Sequence, residues 1–274
     1  MQTSVACILE FMTLLYHRLG YSALNTAKSA LSSFVTLTDG QAVGTHPLIC
    51  RFMRGVFNQK PPMPRYKTTW DVKLVLDLFR GQPTVSSLNL KELTLKTCML
   101  IALVTAQRQQ TLHLLNLEEM QVTSSSVIFH VNELLKQSKP GRTGLSLDIR
   151  EYPPEPKVCV YTTLVEYLAR TETLRLGEPY LFVSYKKPHR RVTTDTIARW
   201  IKTVMKSAGI DVGKFKPHST RAAASSKAKQ SMVPINDILK HVGWNSEATF
   251  CSFYNKPLQD GPCTFTQALL QGEN

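Results

Sequence analysis

Ala102-Leu103-Val104-Thr105-Ala106-Gln107-Arg108-Gln109-Gln110-Thr111-Leu112 closes an apolar run that begins at Leu90 and ends it on an arginine. Between Leu90 and Ala106 the only charges are Lys91, Glu92 and Lys96. A stretch this long and this apolar predicts a buried helix over Leu90–Ala106, because strands rarely exceed eight or so residues. A buried helix is also the element that can carry a cation to a cleft. Taken alone, Arg108 reads first as a helix-terminal cation facing the dipole.

The elements on either side extend the helical theme. Downstream, Ser126–Val131 and Leu145–Ile149 alternate like strands, joined through a turn that holds Lys139-Pro140-Gly141-Arg142. Pro153, Pro154 and Pro156 precede a helix near Val158–Leu174, and Tyr180–Ser184 reads as a short strand. Helices are then expected over Thr194–Ala208, Arg221–Gln230, Pro234–Val242 and Ala248–Asn255. Upstream, Thr68 or Thr69 can cap a helix to Phe79, with Gly81 beyond its end. Residues 59–66 hold three prolines and two cations and read as a linker. Before it lie three helical patterns, Val5–Leu19, Asn25–Leu37 and Pro47–Phe57. The fold class is mainly α with a small antiparallel sheet, in two domains, 1–58 and 67–274.

Composition narrows the partner. The 274 residues carry 33 Lys and Arg against 20 Asp and Glu, a net charge of +13, with 43% hydrophobic residues. No apolar run is long enough to span a bilayer. The six cysteines are far apart and form no C-x-x-C pair, which speaks against a zinc site or a disulfide framework. From Lys186 to Lys229, twelve basic residues face only Asp195 and Asp211, a local net of +10. A solvated helical face is the plain reading of a short basic run. Ten net charges in one segment favour a polyanion, because neutralised phosphates release condensed counterions. An anionic membrane is the weaker alternative, since no exposed aromatic and leucine stripe accompanies the charge. Nucleic acid is the expected partner.

Five places in the basic domain could act on a phosphate. They are Arg108; Lys139, with Lys136 competing for its role; His218-Ser219-Thr220-Arg221; His241-Val242-Gly243-Trp244; and Tyr254 in Phe250-Cys251-Ser252-Phe253-Tyr254. Each has an ordinary explanation, as a turn lysine, a surface pair, a packing tryptophan or a core tyrosine. In order along one chain, they resemble the tyrosine recombinases of the phage integrase family. Residues 106–113 and 242–250 look most like recombinases of eukaryotic DIRS/Ngaro-type mobile elements. The resemblance implies a helical core-binding DNA-clamp module over 1–58 and a catalytic domain over 67–274.

The resemblance also implies the chemistry. Arg108 and Arg221 would hold the non-bridging oxygens of a phosphodiester with planar donors that stay charged, and Trp244 would add an indole N–H. Tyr254 would attack phosphorus. A phenol with an ordinary pKa near 10 is only about 0.1% ionised at neutral pH, so it needs a base, and His218 is the candidate. Lys139 would protonate the departing 5′-oxygen, leaving a 3′-phosphotyrosyl link. That link conserves bond energy, so neither metal nor ATP is required. Many members carry an acidic residue three positions after the first arginine; Thr111 stands there, so another group must orient Arg108. Double-stranded DNA, a homo-tetramer on paired sites, no membrane and no small-molecule substrate follow, with the nucleus as the expected place. The apolar tail (Phe265, Ala268, Leu269, Leu270) could pack on a neighbouring subunit or on its own domain.

Two further functions share these features. A type IB topoisomerase uses a similar set and would relax supercoiled plasmid as a monomer. A DNA-binding protein domesticated from a mobile element would bind with steep salt dependence and never form a covalent adduct.

Overall fold

The computed structural model describes residues 2–135, 138, 144–244 and 246–258. The chain divides into two compact units, Met1–Arg65 and Tyr66–Asn274, and the division falls within the proline-bearing segment 59–66. Lys136, Lys139 and the apolar tail lie outside the described residues.

In the first unit, α1 (Val5–Tyr16), α2 (Tyr21–Phe34) and α3 (Pro47–Gln59) bury Ile8, Met12, Leu24, Ile49, Met53 and Val56 together. Helix α2 begins and ends earlier than its apolar spacing predicts. Val35 is extended, and Thr36–Leu37 (β2) pairs in parallel with Gln2–Thr3 (β1). Two adjacent β-branched residues favour that extended exit. Pro47 opens α3, and His46 caps it by accepting the Leu48 N–H at Nδ1, 3.2 Å.

The second unit is built around α5 (Leu90–Thr105). Asn89 and Glu92 start it with reciprocal hydrogen bonds to each other's backbone N–H. Leu93, Cys98, Met99, Leu100, Ile101 and Leu103 are all buried along it. No polar stripe is left, because helices α7 (Val160–Thr171), α8 (Thr194–Ser207) and α9 (Thr220–Gln230), together with a strand, pack around it. Helix α4 (Val72–Arg80) starts at Asp71, whose carboxylate accepts the Lys73 N–H at 2.9 Å, not at Thr68 or Thr69. The Thr69 N–H is engaged elsewhere, donating to the Pro257 carbonyl at 2.8 Å.

Helix α5 is followed by the short α6 (Gln109–His113) and a three-stranded antiparallel sheet, β3 (Met120–Val122), β4 (Ser126–Val131) and β5 (Leu145–Arg150), in the order β3-β4-β5. Val127 faces Ile149 and Phe129 faces Leu147, putting alternate side chains into the core. Strand β3 is unannounced in the sequence because three half-exposed or exposed residues carry no legible alternation. The segment Tyr180–Ser184 is not a regular strand. It makes single bridges, Asn116 to Tyr180 and Val183 to Arg191, since neither partner runs beside it for more than one pair. Helix α7 starts two residues later than expected because Pro156–Val158 first form a 3₁₀ turn. The last helices among the described residues are α10 (Ile235–Val242) and α11 (Glu247–Phe253).

Candidate active site

Two backbone reversals deliver the site. Ala106 ends α5 in the left-handed region, φ 48°, a conformation sparsely populated by residues other than glycine. The chain then leaves the helix axis and sets Arg108 at the N-cap of α6. Gln107 is buried beside it and donates from Nε2 to the Val242 carbonyl, 3.2 Å. His241 donates from Nε2 to the Val104 carbonyl, 2.7 Å. The end of α5 is thereby laced to the end of α10.

The second reversal is Gly243, φ 77°, which closes α10. Glycine takes this conformation without a Cβ clash. The following N–H, of Trp244, returns to the Leu239 carbonyl at 2.8 Å. This turn lays the indole against Phe250 (ring centroids 5.6 Å apart) and against Tyr254 (4.2 Å). Tyr254 itself follows the last turn of α11.

Arg221 sits in the first turn of α9, only 2% exposed. Its guanidinium carbon lies 5.1 Å from the Trp244 ring centroid and 5.5 Å from that of Tyr254. None of its three nitrogens has a hydrogen-bond partner among the described residues, and the buried Nε1 of Trp244 has none either. Burial pulls the Arg221 pKa down to about 10. The charge of Arg108 pushes the same way, and Tyr254 opposes it. Arg221 therefore stays cationic at neutral pH, in a place where its donors meet no acceptor among the described residues.

Arg108, Arg221, Trp244 and Tyr254 are thus brought together. His241, the other donor near the Gly-Trp pair, is exposed and committed to a backbone carbonyl. His218 does not share a helical face with Arg221. It stands in the 3₁₀ turn Pro217–Ser219 ahead of α9, exposed, while Arg221 is buried. Its ring packs 5.6 Å from Tyr66, whose hydroxyl accepts the Lys216 N–H at 3.1 Å. The Trp70 indole donates to Ser219 Oγ, 2.9 Å, anchoring the same turn. Lys139 lies outside the described residues. Sequence reasoning missed Tyr66, Trp70 and Gln107. Gln107 could have been suspected from its place beside Arg108; the others sit in no recognisable pattern.

In the basic segment, Lys186, Arg190, Arg191 and Arg199 line a cavity of about 570 Å³ together with Tyr185 and Trp200. Arg191 stacks 3.1 Å over the Tyr180 ring and reaches the His113 carbonyl at 3.0 Å, so part of this charge is fixed in place.

Residues 83–260 match the phage integrase family. The chain belongs to that family. No curated protein sequence matches it at a significant level, but the family fold is evident in solved structures. The Tn1549 transposon integrase in complex with transposon right end DNA aligns with TM-score 0.58 at 14% identity, over 97% of this chain and 84% of that one. XerH recombinase bound to palindromic difH substrate aligns with TM-score 0.57 at 12% identity, over 90% and 67%. XerA recombinase aligns with TM-score 0.54 at 19% identity, over 99% and 84%. This phage integrase family member shares with them its largely helical build and small antiparallel sheet.

Proposed function

We propose that this chain is a DNA strand transferase that cleaves and rejoins duplex DNA through a phosphotyrosine at Tyr254. The observation that carries the reading is the Arg221 guanidinium: buried, cationic and unpaired, packed over the rings of Trp244 and Tyr254. A charge held in that state is unfavourable unless an anion completes it. A phosphodiester supplies such an anion, and its charge grows as phosphorus becomes five-coordinate.

In this reading, Arg108 and Arg221 bind the two non-bridging oxygens and Trp244 donates its indole N–H. These are donors fixed before the reaction, where removal of one typically lowers rate by about 10²–10³. Tyr254 Oη bonds to phosphorus as the P–O5′ bond breaks. The phenol proton passes to His218, and Lys139 returns a proton to the 5′-oxygen. Rejoining reverses each transfer, with the 5′-hydroxyl as nucleophile. The cationic cavity beside α8 supplies sequence-independent attraction to the backbone, and the first unit acts as the DNA clamp. Several structural neighbours are DNA complexes, the XerH and Tn1549 structures among them, which supports duplex DNA as substrate. A tetramer on paired sites and a mobile-element origin of the DIRS/Ngaro type belong to the same proposal.

A suicide substrate, nicked so that the cleaved fragment diffuses away, tests it. Wild type should give a protease-sensitive covalent adduct that Tyr254→Phe abolishes. Salt-sensitive DNA binding with no adduct would leave only a binding protein.

A further inference from the structure

Ser226 lies five residues beyond Arg221 on α9 and is 1% exposed. Its hydroxyl donates to the carbonyl of Tyr254 at 2.6 Å and accepts the backbone N–H of Lys256 at 2.9 Å. Those two groups belong to the turn that ends α11, where backbone carbonyls have lost their helical partners. Behind the turn, the N–H groups of Tyr254 and Asn255 both return to the Phe250 carbonyl at 2.8 Å. Ahead of it, Pro257 accepts from Thr69. Between these anchors, Ser226 provides a tie at Tyr254 itself, and that tie comes from the helix that carries Arg221.

Resting on the reading that Tyr254 is the nucleophile, we propose that Ser226 is a positioning residue, holding the Tyr254 backbone in register with the Arg221 guanidinium. One short helix then sets the place of both the phosphate donor and the attacking phenol. Truncating the hydroxyl leaves a carbonyl and an N–H unpaired at a buried position and frees the segment to shift. Misplacement of a reacting group by about 1 Å can lower rate about a hundredfold.

The test uses the full chain and the suicide substrate, with single-turnover cleavage followed at saturating protein beside the dissociation constant for the same DNA. Ser226→Ala should slow cleavage by about tenfold to a hundredfold with DNA affinity unchanged. Ser226→Cys keeps the side-chain shape with a poor hydrogen-bonding group. It should also slow cleavage, and it stands in if the alanine variant does not fold. A substrate with a bridging 5′-phosphorothiolate, whose sulfur leaves without a proton, should not restore the rate. Cleavage within threefold of wild type in a folded variant overturns the inference. So does a loss of affinity equal to the loss of rate, and so does recovery on the phosphorothiolate, which would place the defect in leaving-group protonation. Absence of an adduct with wild type, or its persistence in Tyr254→Phe, would instead remove the phosphotyrosine reading itself. An adduct lost in Tyr254→Phe but formed at full rate by Ser226→Ala removes the role of Ser226 alone.

Discussion

Replacing Arg221 by methionine should make the protein more stable while ending its chemistry. Methionine is unbranched and adaptable, so it can follow the path of the arginine stem. The guanidinium is held at a pKa of about 10, well below the ordinary arginine range. At 1.36 kcal/mol per factor of ten, the buried charge disfavours folding by about 3 kcal/mol. Stacking over Trp244 and Tyr254 returns about 1 kcal/mol of that, so Arg221→Met should gain about 2 kcal/mol. For a unit the size of Tyr66–Asn274, at 2–4 °C per kcal/mol, the melting temperature should rise by about 4–8 °C. The gap between wild type and variant should be constant through neutral pH. It should close only as pH rises above about 10 into the ordinary arginine range, where folded and unfolded arginine both become neutral. Cleavage of the suicide substrate should fall by at least about 10²–10³. Thermal melts of the full chain by circular dichroism, paired with the cleavage assay, decide the matter. A melting temperature lowered by several degrees, or cleavage retained, would refute the argument that this charge is kept unpaired for a ligand.

Lys96 makes the same physics visible away from the site. Its side chain is fully buried in α5, with no hydrogen-bond partner for Nζ among the described residues and the Phe79 ring 5.3 Å away, and burial first and Lys157 second lower its pKa to about 8. The unfolded state then binds more protons between pH 8 and 10.5, so wild-type stability should climb over that window. Lys96→Met should flatten the climb and raise stability at pH 7 by up to about 3 kcal/mol in chemical denaturation; an unchanged pH profile would count against it. Gly243→Ala, at φ 77°, should lower stability by about 1–2 kcal/mol, and the turn that sets Trp244 should loosen, slowing cleavage. Gln107→Leu leaves the buried Val242 carbonyl without its donor and should lower stability by about 1–3 kcal/mol, with slower cleavage at unchanged DNA affinity. Wild-type melting and cleavage would show, in Gln107→Leu, that the lacing of α5 to α10 is incidental and, in Gly243→Ala, that the Trp244 turn is.

Much of the fold was legible because it is written in local periodicity. The long apolar run became α5, the alternating pairs became β4 and β5, and α8 starts at Thr194 as its spacing predicts, capped by Thr193. Ends were less legible. Helix α4 is capped by Asp71, whose carboxylate takes the Lys73 N–H, while Thr69 is drawn into a bridge with a distant segment, donating its N–H to the Pro257 carbonyl. Helix α2 stops at Phe34 because β1 offers a pairing partner. Strand β3 depends on its hairpin partner β4, the Val183 bridge on nearby Arg191 and the Tyr180 bridge on distant Asn116, none of which shows in the residues' own pattern. At the candidate site, the residue types and their order could be read directly. That Arg221 would be buried and His218 exposed, three residues apart, could not, because packing against α5 and Tyr66 decides which side chain faces inward.

The amino acid order alone determined the basic character, the helical build, the family resemblance and the set of side chains competent for phosphate chemistry. Tertiary structure decided which of them meet. Two left-handed residues, Ala106 and Gly243, turn Arg108 and Trp244 toward Arg221, and a buried serine ties the Tyr254 backbone to that arginine's helix. Such contacts span from 28 to about 150 residues of chain. Their energies arise from burial and hydrogen bonding between segments, quantities that no local repeat in a sequence encodes.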